Sequence, residues 1–372
     1  MMTSLCTRLA MDVPIVQAPM AGGWTTPELV AAVCNAGGLG VVAAARLSVD
    51  QLQEKIDAVR HLTSRPFGVN FLLAPPDSPP SGVGAMLEVL DAGRSRLGLA
   101  RGRPRSLQLP ASPLAAQFDL VCRAQVSVVS FAMGTPAPWV ERAKASGAFV
   151  IAMATTVDDA VRLQSCGVDA VVAQGAEAGG HRSSIDTPSD AALPLVGLMA
   201  LVPQMVDALH IPVIAAGGIM DGRGVLAALA LGAEAVQLGT RFLLARESGT
   251  FPAYRQRLIE ATETDTVMTR SLTGRLARAL RNELVRTVEE SGVPVLGWPY
   301  QGLAAEDLYG AAIANGDAAW SPLLAGQGLR LAREVATAAE IMASLRHEAE
   351  SQLLRLRCGA TTNPTRSAPS AP

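Results

Sequence analysis

The chain has 372 residues, of which 49% are hydrophobic and 17% charged, with a formal net charge of −2. This is enough for a large buried core, as two domains or as one α/β barrel with an addition, and the balanced charge argues against nucleic-acid or anionic-membrane binding. Five cysteines without a Cys-x-x-Cys pair argue against a disulfide framework and a metal site. Because no apolar run reaches about 18 residues and Met1–Met11 resembles no secretory signal, we expect a cytoplasmic protein with no membrane partner.

Eight apolar runs bounded by turn residues follow one another along the chain as far as Leu238. They are nearly continuous rather than alternating, as expected for parallel strands buried on both faces. Segments with helical spacing separate them, and the first begins with an N-cap threonine, Thr26, followed by Pro27. The runs are Pro14–Ala18, Leu39–Ala43, Phe67–Phe71, Val126–Phe131, Phe149–Met153, Ala170–Ala173, Pro212–Ala216 and Ala235–Leu238. This alternation predicts a (β/α)8 TIM barrel over residues 1–245, with an open doubly wound sheet as the competing arrangement.

Two regions interrupt the alternation. Residues 74–118 are rich in Pro, Gly, Ser and Arg, which predicts an insertion after the third strand whose arginines form a solvated face. Residues 246–325 predict a smaller, mostly helical substrate or lid domain inserted after strand 8, with a helical stretch at Leu272–Val288. Residues 326–356 predict a helix that packs back on the barrel, and the polar, Pro-rich tail 357–372 predicts disorder.

Glycine-rich segments lie at the carboxyl ends of the last two predicted barrel strands. In such a barrel the active site is built at these ends, and a phosphate is often held after the seventh and eighth strands. The seventh strand ends with Ala216-Gly217-Gly218, and the eighth continues through Gln237-Leu238-Gly239-Thr240. Exposed backbone N–H groups in these turns can bind an anion without a charged side chain.

The sixth strand leads into the segment Gln174-Gly175-Ala176-Glu177-Ala178-Gly179-Gly180-His181-Arg182. Its small residues permit close backbone approach to a flat or charged ligand, and His181 can exchange a proton near neutral pH. The segment Ala18-Pro19-Met20, after the first strand, is placed to lie against the planar ring of a ligand. Asn70, near the end of the third strand, is placed to hydrogen-bond the polar edge of that ring. Alternatively, Met20 is present for core packing and Asn70 for a turn, without any contact to a ligand. Glu177 is either a second acid–base group or a residue that orients the loop backbone.

These segments together resemble the nitronate monooxygenase family of FMN-dependent barrel enzymes. The matching segments are Pro14–Gly22, Gly68–Asn70, Gln174–Arg182, Ala216–Gly224, Leu231–Phe242 and, more weakly, Trp320–Gly328. The resemblance implies FMN as cofactor and His181 as the catalytic base or polar activator. The FMN contacts that it implies are Ala18, Pro19, Met20, Asn70, Gln174, Gly175, Gly179, Gly180, Ala216, Gly217, Gly218, Gln237, Leu238, Gly239 and Thr240.

The implied reaction is oxidation of alkyl nitronates by dioxygen, with His181, Trp298 and Tyr300 against the substrate. The chain differs from the family pattern at Ser183-Ser184, where glycine is common, and at Trp298-Pro299-Tyr300 in the lid. These differences concern the substrate more than the cofactor. An FMN-dependent NAD(P)H reductase acting on an enoyl thioester or quinone is the alternative, because such reductases carry similar segments. Partners are then a small-molecule substrate and dioxygen, and the chain is a monomer or a dimer.

Overall fold

The computed structural model describes residues 2–102, 107–185, 192–331 and 334–358, with the side chain of Cys358 left out. Its strands are β1 (Ile15–Gln17), β2 (Val41–Ala43), β3 (Gly68–Leu72), β4 (Val128–Ala132), β5 (Phe149–Ala154), β6 (Ala170–Gln174), β7 (Gly180–His181), β8 (Val213–Ala216), β9 (Ala235–Leu238), β10 (Thr266–Thr269) and β11 (Ala277–Leu280). Eight of them form one parallel sheet in the order β1-β9-β8-β6-β5-β4-β3-β2. The predicted tail falls outside the described residues from 359 onward.

The sheet closes into a barrel at the seam between β1 and β2. There, Val16 pairs with Leu39 in an isolated parallel bridge, and the side-chain Oε1 of Gln17 accepts a hydrogen bond from the backbone N–H of Val41 at 3.1 Å. Each of the eight apolar runs supplies one barrel strand, so the predicted (β/α)8 barrel is confirmed. The open doubly wound sheet is excluded by this closure.

The helices lie between the strands and in the region that follows the barrel. They are α1 (Ser4–Arg8), α2 (Pro27–Asn35), α3 (Val49–Leu62), α4 (Val83–Arg96), α5 (Leu114–Arg123), α6 (Ala137–Ala145), α7 (Val157–Ser165), α8 (Leu198–Ala208), α9 (Gly222–Ala230), α10 (Thr240–Leu243), α11 (Pro252–Glu260), α12 (Glu283–Glu290), α13 (Tyr300–Ala304), α14 (Glu306–Ala314) and α15 (Ala338–Cys358), with a 3₁₀ segment at Gln327–Leu331. The predicted cap is confirmed, since the Thr26 hydroxyl accepts from the Leu29 N–H. None of the described helices has the length and apolarity that a membrane span requires.

Alternate residues of the barrel strands enter two different hydrophobic clusters. Val128 and Ile214 point into the barrel, whereas their neighbours Val129 and Val213 pack outward against the surrounding helices. The first helix, through Leu5, belongs to the interior cluster together with residues at the start of the strands. This packing fills the amino end of the barrel and leaves its carboxyl end for the active site.

Residues 246–325 form the second region, which holds most of a second hydrophobic cluster. Its strands β10 and β11 form a small antiparallel sheet with β7, in the order β10-β11-β7. The helical stretch predicted at Leu272–Val288 is wrong in its first half, because Ala277–Leu280 forms the central strand of this sheet and is entirely buried. Burial between β10 and β7 decides the conformation of this segment over its local helix propensity. The sheet joins the second region to the barrel loop that carries His181.

The described residues 83–97 of the insertion pack against the second region, whereas Phe118 packs with the barrel helices. Helix α4 of the insertion packs Met86 and Leu90 into the second cluster. Arg94, expected on a solvated face, is 1% exposed and forms ion pairs with Asp91 and Asp307. That expectation is therefore wrong for Arg94, because the guanidinium joins α4 to α14.

The last described helix covers the outside of the barrel. It packs against α9 and α2, and a Cβ atom on Gly222 of α9 would lie 2.2 Å from the backbone nitrogen of Ala349. The helix begins at Ala338, later than the predicted residue 326. The 3₁₀ segment before it turns back over the barrel mouth.

Candidate active site

His181 lies in the short strand β7, just beyond the carboxyl end of β6. It stands opposite Ala277 of β11, and its Nε2 is 2.7 Å from the Thr273 hydroxyl oxygen. The Trp298 ring meets the imidazole edge-on, with 5.3 Å between the ring centroids and 76° between the planes. The imidazole is therefore fixed by groups from the second region, although its backbone belongs to a barrel loop.

The surroundings of His181 favour its neutral form. Burial, and to a lesser extent the positive charge of Arg275, lower the pKa of His181 from 6.5 to about 4. His181 is only partly buried, so part of the residue is accessible to a ligand. At neutral pH this imidazole carries no charge and has a nitrogen lone pair that can accept a proton.

Gln174 and Arg182 hold the loop between β6 and β7 in place. The Gln174 amide donates to the His181 carbonyl at 2.8 Å and accepts from the Ser183 N–H at 2.9 Å. The Arg182 guanidinium donates to the carbonyls of Gly175 and Gln174 at 2.6 and 3.1 Å. Both side chains are buried. In this structure the Gln174 side chain thus positions the His181 backbone, and its predicted FMN contact stays a prediction.

The same loop explains one departure from the family pattern. The Ser183 hydroxyl accepts from the Met133 N–H at 2.8 Å and donates to the Met153 carbonyl at 3.1 Å. It therefore ties the ends of β4 and β5 to the loop, a function that glycine at this position would lack. Glu177 is likewise an anchor, because both carboxylate oxygens accept from the Leu198 N–H at the start of α8. This contact agrees with the backbone-orienting alternative for Glu177.

Three buried arginines surround this loop without an ion pair among the described residues. Arg182, Arg275 and Arg278 are 0%, 6% and 6% exposed. Burial, reinforced by Arg278, lowers the pKa of Arg182 to about 10, while Glu177 opposes the shift. Burial also lowers the pKa values of Arg275 and Arg278. They stay cationic at neutral pH, so the loop carries excess positive charge suited to an anionic ligand.

The glycine turns after β8 and β9 form a cradle at the barrel mouth. Gly217 and Gly218 have φ values of +128° and +68°, which side chains rarely adopt. In the described residues, the backbone N–H groups of Gly218, Gly239 and Thr240 donate no hydrogen bond to protein. A Cβ on Gly239 would lie 3.6 Å from the Ala18 methyl and 3.9 Å from the Met20 sulfur. The unused N–H donors can bind a phosphate, and the neighbouring Ala18 and Met20 side chains can contact a flat ring joined to it.

The segment after the second region closes this cradle from the other side. A Cβ on Gly179 would lie 2.6 Å from the Gly326 nitrogen, so glycine is required for this close approach. Gly326 donates its N–H to the Thr240 hydroxyl at 3.0 Å, and Gln327 donates to the Glu177 carbonyl at 2.9 Å. The weakly matching segment Trp320–Gly328 therefore joins the loops that follow β6 and β9.

Asn70 lies at the mouth with half of its amide engaged. Its Nδ2 donates to the Ser130 hydroxyl at 2.9 Å, which leaves Oδ1 without a partner among the described side chains. Of the other predicted mouth residues, those that follow β1, β8 and β9 are Ala18, Pro19, Met20, Gly217, Gly218, Gly239 and Thr240, and those within β8 and β9 are Ala216, Gln237 and Leu238.

The two predicted lid aromatics differ in position. Trp298 is partly exposed beside His181, whereas Tyr300 is 4% exposed and belongs to the hydrophobic cluster of the second region. Asp77 of the insertion holds the Trp298 backbone: its carboxylate accepts from the Trp298 N–H, and its own N–H donates to the Trp298 carbonyl, both at 2.7 Å. The insertion therefore fixes the aromatic side of the site.

Sequence reasoning did not find Thr273, Arg275 or Asp77. The first two flank Gly274, whose φ of +91° turns the chain back toward β7. The sequence contains the run Thr273-Gly274-Arg275 before a buried segment, which indicates a turn. It does not indicate contact with His181, because the two lie far apart in the chain.

Comparison with known proteins is consistent with this geometry. The family model described as nitronate monooxygenase matches residues 3–348. The chain belongs to the nitronate monooxygenase family. It is 41% identical over 331 residues to a probable nitronate monooxygenase of Staphylococcus aureus strain JH9, covering 88% of this chain and 92% of that protein. It is therefore an enzyme, an oxidoreductase of the nitronate monooxygenase type, and membership of this family implies a flavin cofactor.

Solved structures show the same fold. A nitroalkane oxidase from Streptomyces ansochromogenes is 37% identical with a TM-score of 0.87, over 95% of this chain and 100% of that one. FabK from Thermotoga maritima is 30% identical with a TM-score of 0.76, over 96% of this chain and 99% of that one. Both similarities extend through the barrel and the second region.

Proposed function

We propose that this enzyme oxidises alkyl nitronates with dioxygen, using FMN. The observation that carries the proposal is the neutral imidazole of His181, held by Thr273 and Trp298 beside a cradle of unused backbone N–H groups. Family membership and the similarity to a nitroalkane oxidase support the substrate class. A cytoplasmic location and a monomeric or dimeric state remain predictions.

The proposed cofactor contacts use the glycine turns and the end of β1. The N–H groups of Gly217-Gly218 and Gly239-Thr240 would hold the phosphate, Ala18-Pro19-Met20 would lie against the ring, and Asn70 Oδ1 would accept from its polar edge. Bound FMN would supply the electron acceptor for the nitronate and the route to dioxygen. The other proposed contacts are Gln174, Gly175, Gly179, Gly180, Ala216, Gln237 and Leu238.

His181 would hold the proton that leaves the substrate. We assign Nε2–H as the donor to the Thr273 hydroxyl oxygen at 2.7 Å, one of the two directions that this contact allows. This tautomer leaves the Nδ1 lone pair for the α-proton of a neutral nitroalkane. The low pKa makes the ring a weak base, so proton removal should be slow compared with turnover of a nitronate that has already lost the proton.

The decisive experiment compares the two substrate forms in wild type and His181→Asn. The variant should keep its flavin, and turnover of the neutral nitroalkane should fall by ~10²- to 10⁴-fold. Turnover of the pre-formed nitronate should fall less. Equal losses on both forms would show that His181 does not abstract the proton, and no loss on either would refute the site assignment. Thr273→Val provides a comparison in which the imidazole remains without its Nε2 partner.

An FMN-dependent NAD(P)H reductase acting on an enoyl thioester or quinone is the second candidate, favoured by the similarity to FabK over nearly the full chain. Anaerobic mixing of the flavin-loaded protein with a nitronate, NADH or NADPH separates the two. Rapid flavin reduction by the nitronate alone supports the first proposal, whereas reduction by a nicotinamide alone supports the reductase.

A further inference from the structure

We propose that Arg275 binds the anionic oxygens of the substrate next to His181. The inference rests on the proposed function, because it assigns a residue to the negative charge of a nitronate. It starts from the antiparallel pairing of β7 and β11.

The register of this pairing places Arg275 and His181 on the same face. His181 stands opposite Ala277, and the Arg182 N–H donates to the Leu276 carbonyl at 2.9 Å. Extending the register by two residues puts Arg275 opposite Ser183. Since side chains at directly opposite and at alternate positions share a face, His181 and Arg275 are diagonal neighbours.

The Arg275 guanidinium has unused hydrogen-bond donors. Its Nη2 donates to the Ser184 carbonyl at 2.9 Å and to the Ser184 hydroxyl at 3.2 Å. Its Nε is buried with no partner, and Nη1 makes no hydrogen bond within the described part of the chain. Since Nε is shielded from solvent, Nη1 is the donor that a ligand can reach, and a hydrogen bond to this charged group would favour binding.

The charge of Arg275 is also not neutralised by contact. It forms no ion pair with any described residue, and the carboxylate of Asp77 only partly offsets the effect of burial on its pKa. The neutral imidazole of His181 contributes no charge. A monoanion such as the CNO₂ group of a nitronate matches this environment, because Nη1 retains two N–H donors on a charged group.

The test is binding of nitrate, a planar trigonal monoanion that cannot be turned over. Its dissociation constant is measured on the flavin-loaded protein at constant ionic strength, from changes in flavin absorbance and tryptophan fluorescence. Arg275→Met and Arg275→Gln should keep their flavin and weaken nitrate binding by about 10- to 100-fold. The glutamine amide stays polar without the charge, whereas methionine removes both, so the two variants separate lost charge from lost polarity.

Arg255→Met is the matched control. Arg255 also has a buried Nε without a partner and donates to the carbonyls of Ala245 and Ser248, but it lies on α11. Its replacement should leave nitrate affinity unchanged. Unchanged affinity in a folded Arg275→Gln, an equal loss in Arg255→Met, or no nitrate binding by wild type would each overturn the proposal.

The same variants distinguish this inference from the proposed function. Nitrate binding that depends on Arg275 in a protein that does not oxidise nitronates would support the anion site and refute the function. An unchanged KM for nitronate in an active Arg275→Gln would refute the role of Arg275 alone.

Discussion

The lowered pKa of His181 predicts that acid destabilises the wild type more than a variant without this histidine. The imidazole takes up a proton near pH 6.5 in the unfolded chain but only near pH 4 in the folded protein. Between these values the unfolded state binds more protons, so the free energy of unfolding falls as the pH falls. The contribution is fully present above pH 6.5 and is lost as the pH approaches 4.

The size of the effect follows from the shift. About 2.5 pH units at ~1.36 kcal/mol per unit gives an upper limit of ~3 kcal/mol. Partial exposure of the ring reduces this figure, so ~1–3 kcal/mol is the expected range. Since Arg275 is the second cause of the shift, Arg275→Gln should make the dependence shallower.

Urea unfolding of flavin-free wild type and His181→Asn, from about pH 4 to pH 7.5, measures this quantity. Other acidic groups titrate in both proteins and cancel in the difference between them. The stability of wild type relative to His181→Asn should decrease by ~1–3 kcal/mol over this range. A constant difference for His181 would refute the conclusion that the fold holds its imidazole neutral.

Two further predictions concern the cofactor and the lid. Gly218→Val should lose FMN, because a side chain is strained at the φ of +68° and its Cβ would press against the Glu177 Cβ at 3.3 Å, which would displace the backbone N–H groups proposed to hold the phosphate. Gly316→Val, at a φ of +65° with open space around it, carries the backbone strain alone and should keep FMN. Stoichiometric FMN in purified Gly218→Val would contradict the placement. Trp298→Ala should change the ratio of kcat/KM for small and bulky nitronates more than it changes flavin content. Tyr300→Phe is the control, because Tyr300 lies within the hydrophobic cluster, and it should leave that ratio unchanged. An unaltered ratio in Trp298→Ala would show that Trp298 does not line the substrate pocket.

The sequence alone determined the barrel. Eight continuous apolar runs predicted eight parallel strands, because a strand buried on both faces carries apolar residues throughout. It also determined that the glycine turns after β8 and β9 meet the loop of His181, since the carboxyl ends of parallel strands share one end of a barrel. These features depend on local periodicity and on strand order, which a linear sequence contains.

Only the tertiary structure decided what surrounds His181. Thr273, Arg275 and Trp298 come from the second region, and Asp77, which holds Trp298, comes from the insertion. The strand Ala277–Leu280 that brings them to the barrel was predicted to be helical, because its four residues have no periodicity that distinguishes the two conformations. Pairing with β7 and β10 selects the strand, and that pairing joins residues far apart in the chain. The charge state of the His181 imidazole therefore depends on burial and a neighbouring cation that no local pattern specifies.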